Sequence, residues 1–532
     1  MREGQMIKYV LLMLTPLFCG AVFGQSLQTI RGTVYEDLNR NGRLDKDEPG
    51  IAGVMVSNQR EVVLTDAEGQ YALPAREPMI VFISKPAGYA TPLNTYNIPW
   101  FYYIHQPQGS PDYLKYPGVK PTGPLPSRIN FPLYPQNETD TIRALIVGDP
   151  QPRDNKEVAY FRDDIVNQMS GIPADFYLAL GDIAYDNLET YPPYLKTVSV
   201  LNIPQYNVLG NHDVNYHAKN DAGSIETFKR YFGPADYSFT YGKTHFIVMD
   251  DVQYFGWDSV KNKRGRYKGF LTDQQLTWLA NDLRYVPEDH LIVIAVHIPF
   301  FSPMYKGDAV NVVNRDKLFA LLQDRRHLLF ISGHMHFTEH FLMPDSAGWQ
   351  GAAKLYRMNL GAGCGAWWSG PKDERDIPIS YCLDGTPNGF YLFTFTDNRF
   401  DYRFYPANLP QDFQIHIVSP KDTVNRPDST FIIANVFNAD PGATVTCTLD
   451  TDKTVVMKRF KGNDPFIAEY LKKYKDHFPG WIDRPAATLH LWKTVLPKNL
   501  KPGTHRITVE ATDWMGHVYR GSKIIERLPE NN

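Results

Sequence analysis

The stretch "IRALIVGDPQPRD", Ile142 to Asp154, runs apolar and β-prone to Val147, then stops at Gly148-Asp149, with Gln151 two residues further on. A buried strand that ends in a carboxylate calls for a positive partner at its tip, since an unpaired buried charge is costly. Other segments repeat the pattern: "ADFYLALGD" ends at Asp182, "PQYNVLGNHD" at Asn211, His212 and Asp213, "HLIVIAVHIP" holds His297, and "RHLLFISGHMH" ends with His334 and His336. "THFIVMDD" is a sixth apolar run. Between the runs, "KEVAYFRDDIVNQM", "TDQQLTWLANDLRYV" and "NRDKLFALLQDR" carry apolar residues at helical spacing. This alternation predicts an α/β layer with a largely parallel core, in which ligands gather beyond the carboxyl ends of the strands.

Read in order, those ends supply only Asp, Asn, Gln and His, the oxygen and imidazole donors suited to divalent Mn, Fe, Zn or similar ions. A lone strand-end His more often makes a structural hydrogen bond, and a lone "GD" is an ordinary turn. "GHMH" says more, because alternate strand residues share a face and Gly333 lets the backbone approach a ligand.

The five blocks D-x-Q, GD, GNHD, H and GHMH, in that order, resemble the calcineurin-like metallophosphoesterase superfamily, over about Thr141 to Pro406. The flanks resemble the three-part bacterial members with dedicated N- and C-terminal domains. The resemblance implies a two-sheet sandwich flanked by helices and two adjoining metal sites. Asp149, Gln151, Asp182 and His336 would hold one ion, and Asp182, Asn211, His297 and His334 the other, with Asp182 bridging. It also implies a hydroxide nucleophile made by the metal pair, attacking phosphorus in line. His212 is assigned to the leaving group, with Asp213 as the carboxylate that orients its ring; the alternative for Asp213 is a turn or helix-start residue. Gln151 stands where the superfamily more often has His. Tyr185, Asp186 and Asn187 follow closely enough to line the site or to cap the next helix. Trp367, Trp368, Asp384 and Asn388 lie in segments that resemble substrate-proximal loops, with core packing as the competing reading. Lys263, Arg264, Arg266 and Lys268 form a basic cluster that meets substrate phosphate or simply faces solvent.

The domains read from the sequence are a signal peptide over 1–24, an N-terminal β-sandwich with a Pro- and Tyr-rich connector over 25–138, the metallophosphoesterase domain over 139–408 and a C-terminal β-rich domain over 409–532. In the first of these, Arg2 and Lys8 precede "YVLLMLTPLFCGAVFG", a secretory layout that predicts export to the periplasm or beyond. The sandwich contains "DLNRNGRLDKDE", where Asp37, Asn39, Asn41, Arg43, Asp45 and Glu48 fall at the positions of a twelve-residue calcium loop. Helices on both sides are lacking, so a calcium staple and a solvated acidic turn both stand; likeness to bacterial surface β-sandwich modules favours the staple. The connector, dense in Pro, predicts an ordered irregular segment without helix or central strand. In the C-terminal domain a helical insert is expected at "PFIAEYLKKYKDHF".

The 532 residues carry 55 Lys+Arg against 58 Asp+Glu, which gives no basic excess for a nucleic-acid partner. With Cys19 in the signal, Cys364, Cys382 and Cys447 remain; the first two could pair in an oxidising compartment, which the sequence alone does not decide. The expected activity is hydrolysis of a phosphomonoester of a sugar, glycan or small metabolite. The alternatives are a phosphodiesterase on a lipid head group or nucleotide, and a binding or adhesion protein whose middle domain is inert.

Overall fold

The structure, a computed structural model, describes residues 28–451 and 454–529. The expected signal peptide and Cys19 lie outside the described residues.

Two sheets face each other in the middle of the chain. One has the order Gln205–Asn207, Phe176–Ala179, Thr141–Val147, Gly389–Thr396, Arg399–Pro406. Its first three strands are parallel and its last two antiparallel. The other has the order Tyr237–Tyr241, Thr244–Val248, Leu291–Ala295, Leu328–Ser332, Tyr356–Asn359, Glu339–Leu342, parallel through its four central strands. Alternation along Thr141–Val147 explains the layers. Ile142, Ala144 and Ile146 point into the core shared with Phe246 and Ile292. Leu145 and Val147 point the other way, to a second core with Phe161, Tyr194 and Leu195 from the helices. The α/β two-sheet sandwich expected from the sequence is the fold observed.

Register places the site. Val147 pairs with Ala179 and Ala179 with Asn207, while Ala295 pairs with Ile331, so in each sheet the parallel strands end level. Residues two to four positions beyond each end therefore share one rim. The helix expected at 156–169 forms as Asn155–Phe161 and Asn167–Met169, joined by a π-helical turn over Arg162–Val166.

The N-terminal domain is a sandwich of two four-stranded sheets. It shares a core with the catalytic sheets, where Phe82 meets Trp278 edge-on at 6.0 Å. Lys85, buried, pairs with Glu138 at 2.8 Å and donates to Thr240 O. The connector departs from expectation in one respect. Phe131–Pro135 is a strand inside its sheet, between Thr29–Glu36 and Tyr89–Ala90. It pairs with Thr29–Glu36 over only Phe131 to Leu133, which keeps the cost of Pro132's missing N–H local.

The C-terminal domain is a second β-sandwich, with the expected helical insert at Pro465–Lys473 capped by Asp464. Cys364 and Cys382 are separate buried thiols, as is Cys447, so the pairing that the sequence leaves open is not made. No helix among the described residues is long and apolar enough to cross a membrane.

Candidate metal centre

Three of the parallel strands, those ending at Val147, Ala179 and Ser332, turn sharply once they leave the sheet. Asp149, Gln151, Asp182, His334 and His336 all have positive φ, between 41° and 76°. Non-glycine residues seldom take this conformation, and its clustering at one rim marks backbone held for the sake of its side chains. Close approach requires glycine beside them. A Cβ on Gly210 would lie 2.1 Å from Asp182 N, and one on Gly333 would lie 2.6 Å from Asp149 Oδ2.

The donors converge. His297 Nε2 lies 3.1 Å from Asn211 Oδ1, 3.1 Å from His334 Nδ1 and 3.3 Å from Asp182 Oδ1. The second nitrogen of each ring fixes which atom faces the centre. His297 Nδ1 donates to Leu180 O, His334 Nε2 to Ala309 O and His336 Nδ1 to Gly365 O. The remaining ring nitrogens of His297 and His334 are thereby aimed at one small space with Asp182, where ligand atoms of all three lie within 4.8 Å of one another, as a metal site requires. His336 Nε2 faces Asp149 Oδ1 at 3.9 Å, on the adjoining side of Asp182. Both Asp149 oxygens accept His334 N.

Electrostatics agrees with a site for positive charge. Burial, together with the nearby Asp182 charge and despite His297, pushes Asp149 up to about 8. Burial also opposes ionisation of Asp182, but His297 and His212 outweigh it and hold that carboxyl far below the usual range. Two buried carboxyls this close do not both ionise without a counter-charge. Burial lowers His334 to about 3 and His336 to about 4, leaving both as neutral donors at physiological pH. The set fits two adjoining divalent ions: Asp182, Asn211, His297 and His334 for one, Asp149, Asp182 and His336 for the other. Gln151 is placed differently from a plain ligand. Its Nε2 donates to Asp182 Oδ2 at 3.0 Å and its oxygen faces Cys364 Sγ at 3.7 Å, so in this structure it orients the shared carboxylate.

His212 stands beside the centre with its backbone N–H on Asp182 Oδ1 at 2.8 Å. Its ring partner is not Asp213. Asp186 Oδ1 accepts from His212 Nδ1 at 2.9 Å and from Arg264 Nη1 at 2.6 Å. Burial pushes Asp186 up, but its bond to His212 and the charges of His212 and Arg264 outweigh this and hold the carboxyl below the usual range. Asp213 is fully buried and accepts the backbone N–H groups of Gly210, Ile183 and Ala184 and the hydroxyl of Tyr191. It ties two ligand loops together. The reason is directional: its neighbour's side chain points to the rim, so its own points into the protein.

Tyr185 stacks on the His212 ring at 4.5 Å, and Trp367 stacks on the His336 ring at 3.9 Å. The remaining residues expected near substrate are structural. Asn187 caps a 3-10 turn and holds Arg153 O. Trp368 is buried and donates to Pro150 O. Asn388 is buried and donates to Gly363 O. Asp384 is fully buried between domains, accepting Thr338 N and pairing with His490 Nε2 at 2.9 Å. Sequence reasoning missed a cleft of about 440 Å³ beside Asn211 and His212, walled by Phe255, Arg264, Arg266, Tyr267, Asp308 and Ala309. The basic run 263–268 was the one signal for it. In the N-terminal loop, Asp37, Asn39, Asn41, Asp45 and Glu48 do come together. Each already accepts N–H groups within the loop, as Asp37 does from Asn41 and Gly42, and the oxygens of Glu48 from Leu38 and Asp45.

Comparison with known proteins settles the family. The calcineurin-like phosphoesterase model matches residues 142–337, the model for the N terminal of calcineurin-like phosphoesterase residues 38–117, and that for its C terminal residues 358–519. The chain belongs to the calcineurin-like phosphoesterases. This makes it a hydrolase of a dinuclear metal-dependent family and removes the inert-domain alternative. It is 26% identical over 205 residues to a probable glycerophosphodiester phosphodiesterase of Arcobacter nitrofigilis, covering 36% of this chain and 70% of that one. It is 28% identical over 167 residues to a 3',5'-cyclic adenosine monophosphate phosphodiesterase of Escherichia coli, 30% of this chain and about half, 54%, of the relative. It is 27% identical over 240 residues to tartrate-resistant acid phosphatase type 5 of Mus musculus, 40% of this chain and 71% of that one.

Proposed function

We propose that this calcineurin-like phosphoesterase is an exported phosphomonoesterase acting on a phosphorylated sugar, glycan or small metabolite. The observation that carries it is the cleft beside His212, where Arg264 and Arg266 add cationic groups next to the metal donors. A terminal phosphate dianion gains from such groups more than a diester monoanion does. Export rests on the basic-then-apolar residues 2–24. A phosphodiesterase is the second reading, favoured by two of the three relatives.

When bound, the two ions supply Lewis acidity for the phosphoryl oxygens and the attacking water. The chain's own residues do the rest. Asp182, held by His212 N and Gln151 Nε2, is the carboxylate that would be shared by both ions. His212 has Nδ1 engaged by Asp186, which leaves Nε2 to give a proton to the departing alkoxide. Arg264 braces the pair by donating to Asp186 and to Asn211 O. The test is hydrolysis of p-nitrophenyl phosphate beside its bis ester after loading with Mn, Fe, Zn, Ni or Ca. A higher kcat/KM for the monoester, lost in His212→Ala, is expected. Preference for the bis ester moves the assignment to a diesterase, and no cleavage with any metal sinks both.

A further inference from the structure

Trp481 belongs to the C-terminal domain, yet it meets the catalytic centre. Its ring stands edge-on to Trp367 at 4.4 Å, and Trp367 lies flat on His336 at 3.9 Å. Two backbone bonds clamp the segment around it onto the catalytic loops: Gly370 N donates to His477 O, and Ala486 N to Leu383 O, whose own N–H donates to His336 O. The next residue, Ile482, is buried in a small core with Ala366, Ile467 and Leu471. Trp367 itself has a φ of 54°, in the left-handed region, which for a bulky side chain has to be enforced, and Arg153 donates to its carbonyl at 2.9 Å. Held so firmly, Trp481 nevertheless leaves 54% of its surface open. Its neighbours are fixed, but more than half of its own surface is uncovered, one ring away from His336.

We propose that Trp481, with Trp367, is a specificity-determining wall that receives a ring carried by the substrate's organic group. The C-terminal domain would thereby complete the active site on the His336 side. A large aromatic face selects flat or ring-shaped groups through stacking and apolar contact. The inference rests on the phosphoester reading above, and names the class of ester: one whose alcohol is a ring.

The test uses the full, metal-loaded protein and two non-hydrolysable probes, phenylphosphonate and methylphosphonate, titrated by calorimetry. The native protein is expected to prefer the phenyl probe by about three- to tenfold, the size of one aromatic contact. Trp481→Ala is expected to remove that preference while methylphosphonate affinity stays put, and Trp481→Phe to keep most of it. A preference that persists in Trp481→Ala overturns the proposal, as does an equal loss for both probes. Unfolding midpoints of both variants are measured alongside, and Trp481→Phe decides if Trp481→Ala does not fold. Should neither probe bind the native protein and p-nitrophenyl phosphate remain uncleaved, the phosphoester reading itself has failed. Cleavage of that ester by a native protein indifferent to the phenyl group sinks the wall alone.

Discussion

At the scale of single residues, the sequence neighbours His212 and Asp213 have unlike work. His212 faces the rim, and its ring is fixed by Asp186, twenty-six positions back, not by the carboxylate beside it. Asp186→Asn keeps the size of that side chain but weakens its hold on the Nδ1 proton. We expect kcat to fall about 10- to 100-fold, the range for losing the partner that orients such a ring, with KM and the unfolding midpoint little changed. Asp186→Glu should recover part of the rate. An unaltered kcat in Asp186→Asn would remove Asp186 from the mechanism. Gln151 shows how far residue chemistry alone reaches. Its type permits either metal coordination or hydrogen bonding, and the bond to Asp182 is visible only once two strands are side by side.

At the scale of elements, the centre is a set of strand ends held level by register, and the loops beyond them are pinned by buried acceptors. Asp213 is the chief of these, with Gly210, Ile183 and Ala184 donating to it. Asp213→Ala leaves buried N–H groups without a partner, at about 1–3 kcal/mol each. The expected outcome is a lower unfolding midpoint in calorimetry together with reduced bound metal after dialysis, in contrast to Asp186→Asn. Normal stability and full metal content would show that these loops need no such tie. Helix Asp273–Leu283 offers a simpler case. Thr272 and Gln275 form a capping box, and Thr272→Ala should cost about 1 kcal/mol in denaturant unfolding with no change in catalysis. The helix itself was legible in sequence from its apolar spacing; the tie at Asp213 was not, because it joins two segments that only the sheet brings together.

At the scale of the whole molecule, both flanking domains lean on the catalytic sheets through buried or half-buried polar contacts. His517 bridges Asp513 in the C-terminal domain, at 2.9 Å, and Asp401 on the catalytic edge strand, at 3.1 Å. Burial works to lower its pKa, but the two carboxylates outweigh burial and raise it. A histidine raised on folding stabilises fully below its unfolded value of about 6.5, and the contribution is lost as pH rises through the folded value. The midpoint gap between the native protein and His517→Gln should therefore be widest below pH ~6.5 and close on the alkaline side. A gap that is constant with pH, or that widens as pH rises, would contradict the bridge.

The apolar runs with polar ends determined, without tertiary information, the α/β layer, the rim at which the site lies and the donor types that gather there. Those are local matters: side-chain period fixes the layers, and residue chemistry fixes what a strand tip can hold. The open questions in the sequence were all questions of direction and partnership. Asp186 instead of Asp213 at His212, Asp384 and Asn388 as buried struts, two unpaired thiols at Cys364 and Cys382, and Trp481 arriving from another domain were decided by the tertiary structure alone. A side chain's partner depends on which face its backbone turns outward and on what distant segment is folded against it, and neither quantity is written in the order of residues.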